Sequence, residues 1–215
     1  MTDEITAFKK IKDNVPDGVT IVAASKTQSI DRILNLASVY PDLIFGENRV
    51  QELVDKYTPS LRWHLIGQLQ TNKVKYVIDK VECIQSLDRM PLALEIEKCA
   101  AKKGIVMPCL IEVNIAGEEA KGGLKIENLG EFLKQLQSLE RVKPIGLMTV
   151  APISNDEGYL KECFLKMKDS YDKFKDVYGF KYLSMGMSSD YKIAVECGSN
   201  MIRLGRTIFG DRVYV

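Results

Sequence analysis

The sequence predicts an α/β fold, a single (β/α)8 TIM-type barrel with an extra N-terminal helix. Eight β-rich runs alternate with helical or loop-like stretches, and eight such units are the number that closes a parallel barrel. A chain of 215 residues lies near the lower end of the length range for this fold. No linker, repeat or low-complexity tract interrupts the chain, so we expect one domain over residues 1–215. An open doubly wound sheet is the alternative.

A helix is predicted first, and the eight strands follow it. Ile5, Phe8 and Ile11 recur at helical spacing within residues 3–13, which indicates a helix that faces the core. The strands are short runs rich in β-branched and apolar residues. In chain order they are residues 19–26, 43–48, 62–67, 81–86, 107–114, 142–149, 182–188 and 201–205.

Three helices between the strands have clear signals in the sequence. Residues 88–103 have helical spacing and stop at Gly104, and residues 126–139 follow a pair of glycines. The longest helix ends at Gly179. Its apolar stripe consists of Leu160, Cys163, Phe164, Met167, Tyr171, Phe174 and Val177.

Composition excludes several classes of partner. Lys and Arg number 30 against 29 Asp and Glu, so no net field attracts nucleic acid or an anionic membrane, and a small-molecule partner is expected. The five cysteines are widely spaced without a C-x-x-C pair, which predicts reduced thiols and no metal site. No signal peptide is recognisable, and the longest apolar runs are too short to span a bilayer. We therefore expect a cytoplasmic monomer.

Polar residues and glycines end six of the predicted strands. Active sites of (β/α)8 barrels lie at the C-terminal ends of the strands, so these segments supply the candidate functional residues. The segments are residues 23–27, 46–49, 64–67, 146–149, 185–189 and 203–207.

Lys26 closes the otherwise apolar first strand. Its ammonium lies either in solvent, as the end of a side chain that snorkels at the rim, or in the barrel mouth. In the mouth, desolvation and neighbouring cations would lower the pKa of the amine and free the neutral form that attacks an aldehyde. Lys26 is therefore a candidate for a Schiff base.

Two loops predict a phosphate site. Ser188 and Ser189 stand where the seventh strand meets a short helix, so hydroxyls and unpaired amides can receive an anion there. Gly205, Arg206 and Thr207 follow the eighth strand and supply a close backbone, a cation and a hydroxyl. The loops after strands 7 and 8 are the usual phosphate position in such barrels. Ordinary helix capping is the alternative for the serines.

Three further polar residues have two interpretations each. Arg203 shares a strand face with Gly205, and opposite a pyridine ring it would donate to the ring nitrogen and disfavour protonation; an ion pair at the rim is the alternative. Asn48 orients a ring hydroxyl or is a plain turn residue. His64, beside Trp63, is a general base or, more often for such a residue, a packed histidine.

The charged, glycine-rich segment at residues 116–123 also has two interpretations, a solvated loop or a lid over the barrel mouth.

These segments together resemble the pyridoxal phosphate homeostasis protein family. The resemblance extends from the first strand to Gly210, and one departure is Ala120, where the family's loop would have serine. The matching segments are Val-Ala-Ala-Ser-Lys-Thr at 22–27, Phe-Gly-Glu-Asn-Arg-Val-Gln-Glu at 45–52, Trp-His-Leu-Ile-Gly-Gln-Leu-Gln-Thr-Asn-Lys at 63–73, Gly-Leu-Met-Thr at 146–149 and Ser-Met-Gly-Met-Ser at 184–188.

The resemblance implies pyridoxal 5'-phosphate (PLP) as the cofactor, in a barrel similar to the N-terminal domain of bacterial alanine racemase. It implies Lys26 as the aldimine lysine and Arg203 at the ring nitrogen. Around the phosphate it implies Ser188, Gly205, Arg206 and Thr207, and we include Asn48, Met148 and Ser189 in the expected binding set.

The family is taken to bind, store or hand over PLP and to influence vitamin B6 and amino-acid pools. Alanine racemase-like enzymes need a second domain with a tyrosine base, and this chain ends at Val215. We therefore expect a carrier without catalytic residues, with PLP-dependent apo-enzymes as recipients. A racemase-like enzyme acting on amino acids and a class I aldolase that uses Lys26 are the alternatives.

Overall fold

Eight parallel strands close into a barrel in the computed structural model, which describes residues 3–118 and 122–210. The neighbours around the barrel are β4, β3, β2, β1, β9, β8, β7 and β5, and β5 pairs back with β4. A short strand, β6, pairs with the end of β5. The bounds are β1 Thr20–Ala24, β2 Ile44–Glu47, β3 Arg62–Leu65, β4 Cys83–Leu87, β5 Met107–Asn114, β6 Leu124–Lys125, β7 Val142–Met148, β8 Tyr182–Ser184 and β9 Met201–Leu204.

Helices surround the strands, and local sequence sets their ends. The hydroxyl of Ser29 caps α2 and the carboxylate of Asp156 caps α6, while Gly104 and Gly179 end α4 and α6 in the left-handed conformation. The helices are α1 Asp3–Asn14, α2 Ile30–Val39, α3 Val50–Lys56, α4 Met90–Lys103, α5 Leu129–Leu136, α6 Glu157–Tyr178, α7 Tyr191–Glu196 and α8 Arg206–Phe209, with 3-10 turns at Thr71–Tyr76 and Ile126–Asn128.

The TIM-type barrel and its extra N-terminal helix confirm the predicted fold class. Helix α1 buries Ile5, Phe8 and Ile11 and contacts α2 and α8. The strands end earlier than predicted, β1 at Ala24 and β8 at Ser184, so Lys26 and Ser188 belong to the loops that follow. Strand β6 was not predicted. Within the described residues, no helix has the length and apolar character needed to cross a membrane.

Two groups of buried residues divide the core. The larger one joins the outer faces of the strands to the helices. The smaller one fills the barrel interior and contains Val22, Ile44, Cys83, Leu110, Met148 and Met201. Because side chains alternate along a strand, Gln85 and Arg203 follow Cys83 and Met201 on the inner face. The interior therefore changes from apolar to polar toward the C-terminal ends of the strands.

Candidate functional site

A cavity of about 550 Å³ lies at the C-terminal ends of the strands. Its lining comes mainly from the loops after β1, β2, β8 and β9, as expected for an active site on this fold. It brings together seven of the nine predicted residues, namely Lys26, Asn48, Ser188, Ser189, Arg203, Gly205 and Arg206.

Met148 and Thr207 do not line this cavity. The Met148 side chain is fully buried within the barrel interior. Thr207 lines a separate surface cavity beside α1 and α7, but its backbone N–H donates to the Ser188 hydroxyl at 3.3 Å. Thr207 therefore contacts the site through its backbone, and a direct contact of either residue with a cofactor stays a prediction.

Lys26 stands two residues beyond β1, in a sharp turn. The N–H of Ser25 continues the ladder with a 3.0 Å bond to the carbonyl of Gly46. Ala24 and Lys26 both line the cavity. Thr27 then turns the chain with a φ of 65°. The Lys26 side chain is half-buried and lines the cavity.

Asn48 lines the same cavity and has an unpaired side-chain oxygen. Its Oδ1 is buried and has no hydrogen-bond partner among the described residues. A Cβ on Gly67 would lie 2.3 Å from the Asn48 carbonyl oxygen, so the loop after β3 packs directly on the Asn48 backbone. A buried polar atom without a partner is unfavourable. A ligand hydroxyl would satisfy it after a movement of the side chain that exposes the oxygen to the cavity.

The loops after β8 and β9 meet at one hydroxyl. Ser188 Oγ accepts hydrogen bonds from the N–H groups of Gly205 and Thr207, both at 3.3 Å. Behind it, the buried Asp190 carboxylate accepts from the Met187 N–H at 2.6 Å and from the Ser189 hydroxyl at 3.2 Å. The two loops predicted to hold phosphate therefore form one structure with the Arg206 side chain at its edge.

Arg203 is buried in the barrel interior, with 4% of its surface exposed. Its Nη1 donates to the carbonyl and hydroxyl of Ser184 at 3.0 and 2.5 Å, and its Nη2 donates to the carbonyl of Thr149 at 2.7 Å. These acceptors are neutral oxygens, so the predicted alternative of an ion pair at the rim is wrong for the described residues. Burial lowers the pKa of the guanidinium to about 10, against the attraction of Glu112 and Asp190, and the group stays charged near neutral pH.

A chain of buried side chains continues from Arg203 to His64. The Ser184 hydroxyl donates to Gln85 Oε1 at 2.9 Å, and Gln85 Nε2 lies 2.9 Å from His64 Nδ1. Burial lowers the pKa of His64 to about 3, so the imidazole is neutral, and the amide donor assigns its proton to Nε2. His64 is thus a packed, hydrogen-bonded histidine. Gln85 and Ser184 were not predicted, although their inward strand positions were a usable signal.

Glu112 is a second polar residue that the sequence did not single out. It lies on β5 opposite Met148 in the β5–β7 register and is half-buried. Burial raises the pKa of its carboxyl to about 7, repulsion from Asp88 raises it further and attraction to Arg203 opposes the shift. A carboxyl that titrates near neutral pH therefore stands within the electrostatic reach of Arg203.

Comparison with known proteins agrees with this geometry. The profile of the alanine racemase N-terminal domain matches residues 8–213. The pyridoxal phosphate homeostasis protein of Aquifex aeolicus is 46% identical over 177 residues, which cover 80% of this chain and 78% of that protein. The protein of that name from Helicobacter pylori is 36% identical over 200 residues, which cover 90% of this chain and 88% of that protein. The Escherichia coli protein of that name is 31% identical over 220 residues, which cover 99% of this chain and 94% of that protein.

Solved structures show the same relationship. PipY from Synechococcus elongatus PCC7942, solved without PLP, superposes with a TM-score of 0.90 at 29% identity, covering 96% of this chain and 99% of PipY. PipY with PLP bound superposes on this chain with a TM-score of 0.88. Alanine racemase of Clostridium difficile shares the fold, with a TM-score of 0.81 at 15% identity over 99% of this chain and 60% of the racemase. The chain belongs to the pyridoxal phosphate homeostasis protein family, within the wider group that has the alanine racemase N-terminal domain.

Proposed function

We propose that this protein binds PLP in the cavity at the barrel mouth and serves in PLP (vitamin B6) and amino-acid homeostasis as a carrier or store. The observation that carries the proposal is the composition of one cavity. An amine, an unpaired amide and a buried guanidinium line it together with two joined loops, and these groups come from Lys26, Asn48, Arg203, Ser188 and Gly205. PLP offers an aldehyde, a ring hydroxyl, a ring nitrogen and a phosphate. Each group has a matching residue.

Each residue has a defined task in this proposal. The neutral Lys26 amine forms a C=N bond to the aldehyde carbon with loss of one water, after its ammonium has released a proton to solvent. Asn48 hydrogen-bonds the ring hydroxyl and Arg203 donates to the ring nitrogen. Met148 stays in the expected binding set, although its side chain is buried in the barrel interior and does not line the cavity. We assign the phosphate to Ser188, Ser189, Gly205, Arg206 and Thr207, which supply hydroxyls, one cation and backbone amides; without a ligand, the Gly205 and Thr207 amides donate to the Ser188 hydroxyl.

Arg203 favours a carrier over an amino-acid enzyme. Bound PLP supplies an electron sink for charge that develops at an amino acid's α-carbon, and the sink is strongest when the ring nitrogen is protonated. A guanidinium has donors only, and the hydrogen bonds to Ser184 and Thr149 hold this one in the barrel interior. Donation from Arg203 keeps the ring nitrogen unprotonated. We expect PLP-dependent apo-enzymes to receive the cofactor from this protein.

An amino-acid enzyme of the racemase type is the second candidate, and Glu112 favours it. Glu112 does not line the cavity, but a base on β5 with a pKa of about 7 that interacts electrostatically with Arg203 is suited to proton transfer at neutral pH. Chiral chromatography of alanine, serine and glutamate incubated with the PLP-loaded protein separates the two candidates. The carrier predicts negligible inversion, whereas steady inversion that is lost in both Lys26→Ala and Glu112→Gln would establish the enzyme.

Titration with PLP and with pyridoxal tests the phosphate site. Because the two loops supply most of the donors, pyridoxal should bind at least about 100-fold more weakly than PLP. Arg206→Ala should weaken PLP binding and leave pyridoxal binding unchanged. Arg141→Ala, which removes a cation just before the start of β7 at the opposite end of the barrel, is the matched control. Equal affinities for the two ligands would refute the phosphate site.

Transfer of PLP tests the carrier role. The loaded protein is mixed with an apo-form of a PLP-dependent enzyme in the presence of a phosphatase that destroys free PLP. Recovery of the enzyme's activity under these conditions supports transfer between the two proteins. Activation that occurs only without the phosphatase would reduce the role to storage.

We also propose a monomer in the cytoplasm. All five cysteines lie in the described part of the chain as free, buried thiols, which suits a reducing compartment. Sedimentation analysis measures the oligomeric state, and a mass near 24.2 kDa is expected.

A further inference from the structure

A cluster of three charged side chains lies directly behind the turn that carries Lys26. It consists of Glu47 at the end of β2 and Glu52 and Lys56 on α3, and we name it the Glu47–Glu52–Lys56 cluster. Glu47 is fully buried, while 12% of the Lys56 side chain and 22% of the Glu52 side chain are exposed. None of the three lines the cavity. Their role must therefore be sought in what they contact.

The cluster holds the residue before Lys26 by two bonds. The Ser25 hydroxyl donates to Glu47 Oε1 at 2.7 Å, and the Ser25 carbonyl accepts from Lys56 Nζ at 3.0 Å. Lys56 Nζ also donates to Glu47 Oε1 at 2.9 Å and to Glu52 Oε1 at 2.7 Å. Its three protons thus go to three oxygens, and one of these belongs to the backbone of the turn.

The cluster also holds the residue after Lys26. The Thr27 N–H donates to Glu52 Oε1. Thr27 has a φ of 65°, in the left-handed region that β-branched residues rarely adopt. Such a conformation persists when the surrounding structure determines it, and the Glu52 carboxylate is the group that binds its amide. Both peptide units beside Lys26 are therefore fixed by the same cluster.

Stability alone is a poor explanation for these buried charges. Buried ion pairs lose much of their attraction to desolvation, and apolar residues of similar size are often as stabilising. Burial raises the pKa of Glu47 against the stabilising effect of Lys56 and Ser25, and Glu47 Oε2 has no partner in the described residues. The contacts of the cluster converge on residues 25 and 27 rather than on the apolar core.

We infer that Glu47, Glu52 and Lys56 are positioning residues for Lys26. They hold the backbone on both sides of it so that its amine stays in the barrel mouth, at the place where the aldehyde is captured. Because groups held in reacting geometry avoid an entropic penalty, losing this hold should slow capture on the order of tenfold. The inference rests on the proposed function, since PLP is the aldehyde concerned.

Three variants on one helix test it. Glu52→Ala removes the acceptor of the Thr27 amide, and Glu52→Gln keeps an acceptor without the charge. Asp55→Ala is the control, because Asp55 is exposed on the same helix and bonds only to Gln51 among the described residues. The readouts are hydrogen exchange of the Thr27 amide in cofactor-free protein, the stopped-flow rate of C=N bond formation with PLP, and affinity for 4'-deoxypyridoxine 5'-phosphate, which lacks the aldehyde.

Glu52→Ala should accelerate exchange of the Thr27 amide and slow capture of PLP by about tenfold or more, with affinity for the aldehyde-free analogue retained. Glu52→Gln and Asp55→Ala should stay within about twofold of the parent protein in rate. A Glu52→Ala protein with parental exchange and capture rates would overturn the inference. So would an equal loss of affinity for the analogue, which would show general damage to the site. If the parent protein binds neither PLP nor the analogue, the proposed function fails, and Thr27 exchange still decides whether the cluster holds the turn.

Discussion

Three residues at the cavity, Asn48, Ser188 and Arg203, have partners behind them that set their positions. Gly67 allows the loop after β3 to pack on Asn48, and Asp190 organises the loop that contains Ser188. Ser184 and Gln85 hold Arg203 from inside the barrel. Such supporting contacts fix the geometry of a binding site as much as the residues that touch the ligand.

Removal of the Ser184 hydroxyl tests this support. Ser184→Ala leaves Arg203 Nη1 with one acceptor and removes the hydroxyl that donates to Gln85 Oε1, so the protein should lose about 1–3 kcal/mol of stability and bind PLP more weakly. Ser138→Ala, which removes an exposed hydroxyl just after the end of α5, is the control. Urea unfolding and PLP titration measure the two effects. Parental values for Ser184→Ala in both assays would show that the chain of side chains does not support Arg203.

His64 gives a dependence of stability on pH. Its pKa is lowered from 6.5 to about 3, so the unfolded chain binds a proton below pH 6.5 that the folded protein rejects until about pH 3. Stability is therefore lost as the pH falls through this window, by about 1.4 kcal/mol per pH unit at most. His64→Asn keeps an acceptor for Gln85 but does not titrate.

Between pH 7 and pH 5, the parent protein should lose about 2 kcal/mol more of its unfolding free energy than His64→Asn does. Urea unfolding at the two pH values measures the difference. Identical losses for the two proteins would mean that His64 titrates normally in the folded state.

Prediction from sequence was strongest for residues that end strands. Lys26, Asn48 and Arg203 could be assigned to one cavity because the C-terminal ends of barrel strands converge. Gln85 and Ser184 could not be linked to Arg203 in the same way, since their contacts cross the barrel interior between strands that are distant in the chain. The pKa of Glu112 likewise depends on burial that only the folded structure defines.

At the scale of elements, close approach between strands closes the barrel. Gly146 on β7 pairs with Tyr182 on β8, and a Cβ at Gly146 would lie 1.9 Å from the Tyr182 carbonyl oxygen. A carbon and an oxygen that are not bonded cannot lie this close, so a side chain at Gly146 would force one of the two backbones to move. The glycine is thus required by the contact between β7 and β8, next to the strand that leads to Ser188.

Gly146→Ala should accordingly destabilise the protein by about 3 kcal/mol or more, because neither backbone can move without breaking the ladder. Gly130→Ala is the matched control. A Cβ there meets only the Phe174 ring at 3.4 Å, so stability should change by less than about 1 kcal/mol. Thermal unfolding compares the two variants. A Gly146→Ala protein as stable as the Gly130→Ala protein would show that β7 and β8 separate easily.

Element boundaries show where sequence patterns stop being informative. The predicted first and seventh strands extended into the loops, because Ser25 and Met185 continue the apolar or extended pattern after the ladder has ended. The two-residue strand β6 has no periodicity to detect. For residues 116–123 the sequence left a solvated loop and a lid open; residues 119–121 lie outside the described part of the chain, and both interpretations stay untested.

At the scale of the whole molecule, the residues that stabilise the barrel and the residues of the proposed binding site lie at different ends of it. Apolar residues fill its interior toward the N-terminal ends of the strands, and polar residues occupy the opposite end. The segments that match this chain cover 78–94% of the lengths of three relatives, so these family members share the same architecture. One amine in that polar end, Lys26, is the centre of the proposed function.

Covalent mapping tests that centre most directly. The purified protein is incubated with PLP, its absorbance spectrum is recorded, and borohydride reduction followed by peptide mass spectrometry locates the modified lysine. Lys26→Ala is compared with Lys134→Ala, which removes an exposed amine from α5. We predict a visible band that borohydride abolishes, a label on Lys26, and loss of both in Lys26→Ala alone. A Lys26→Ala protein that retains the full band, with the label on another lysine, would contradict the account.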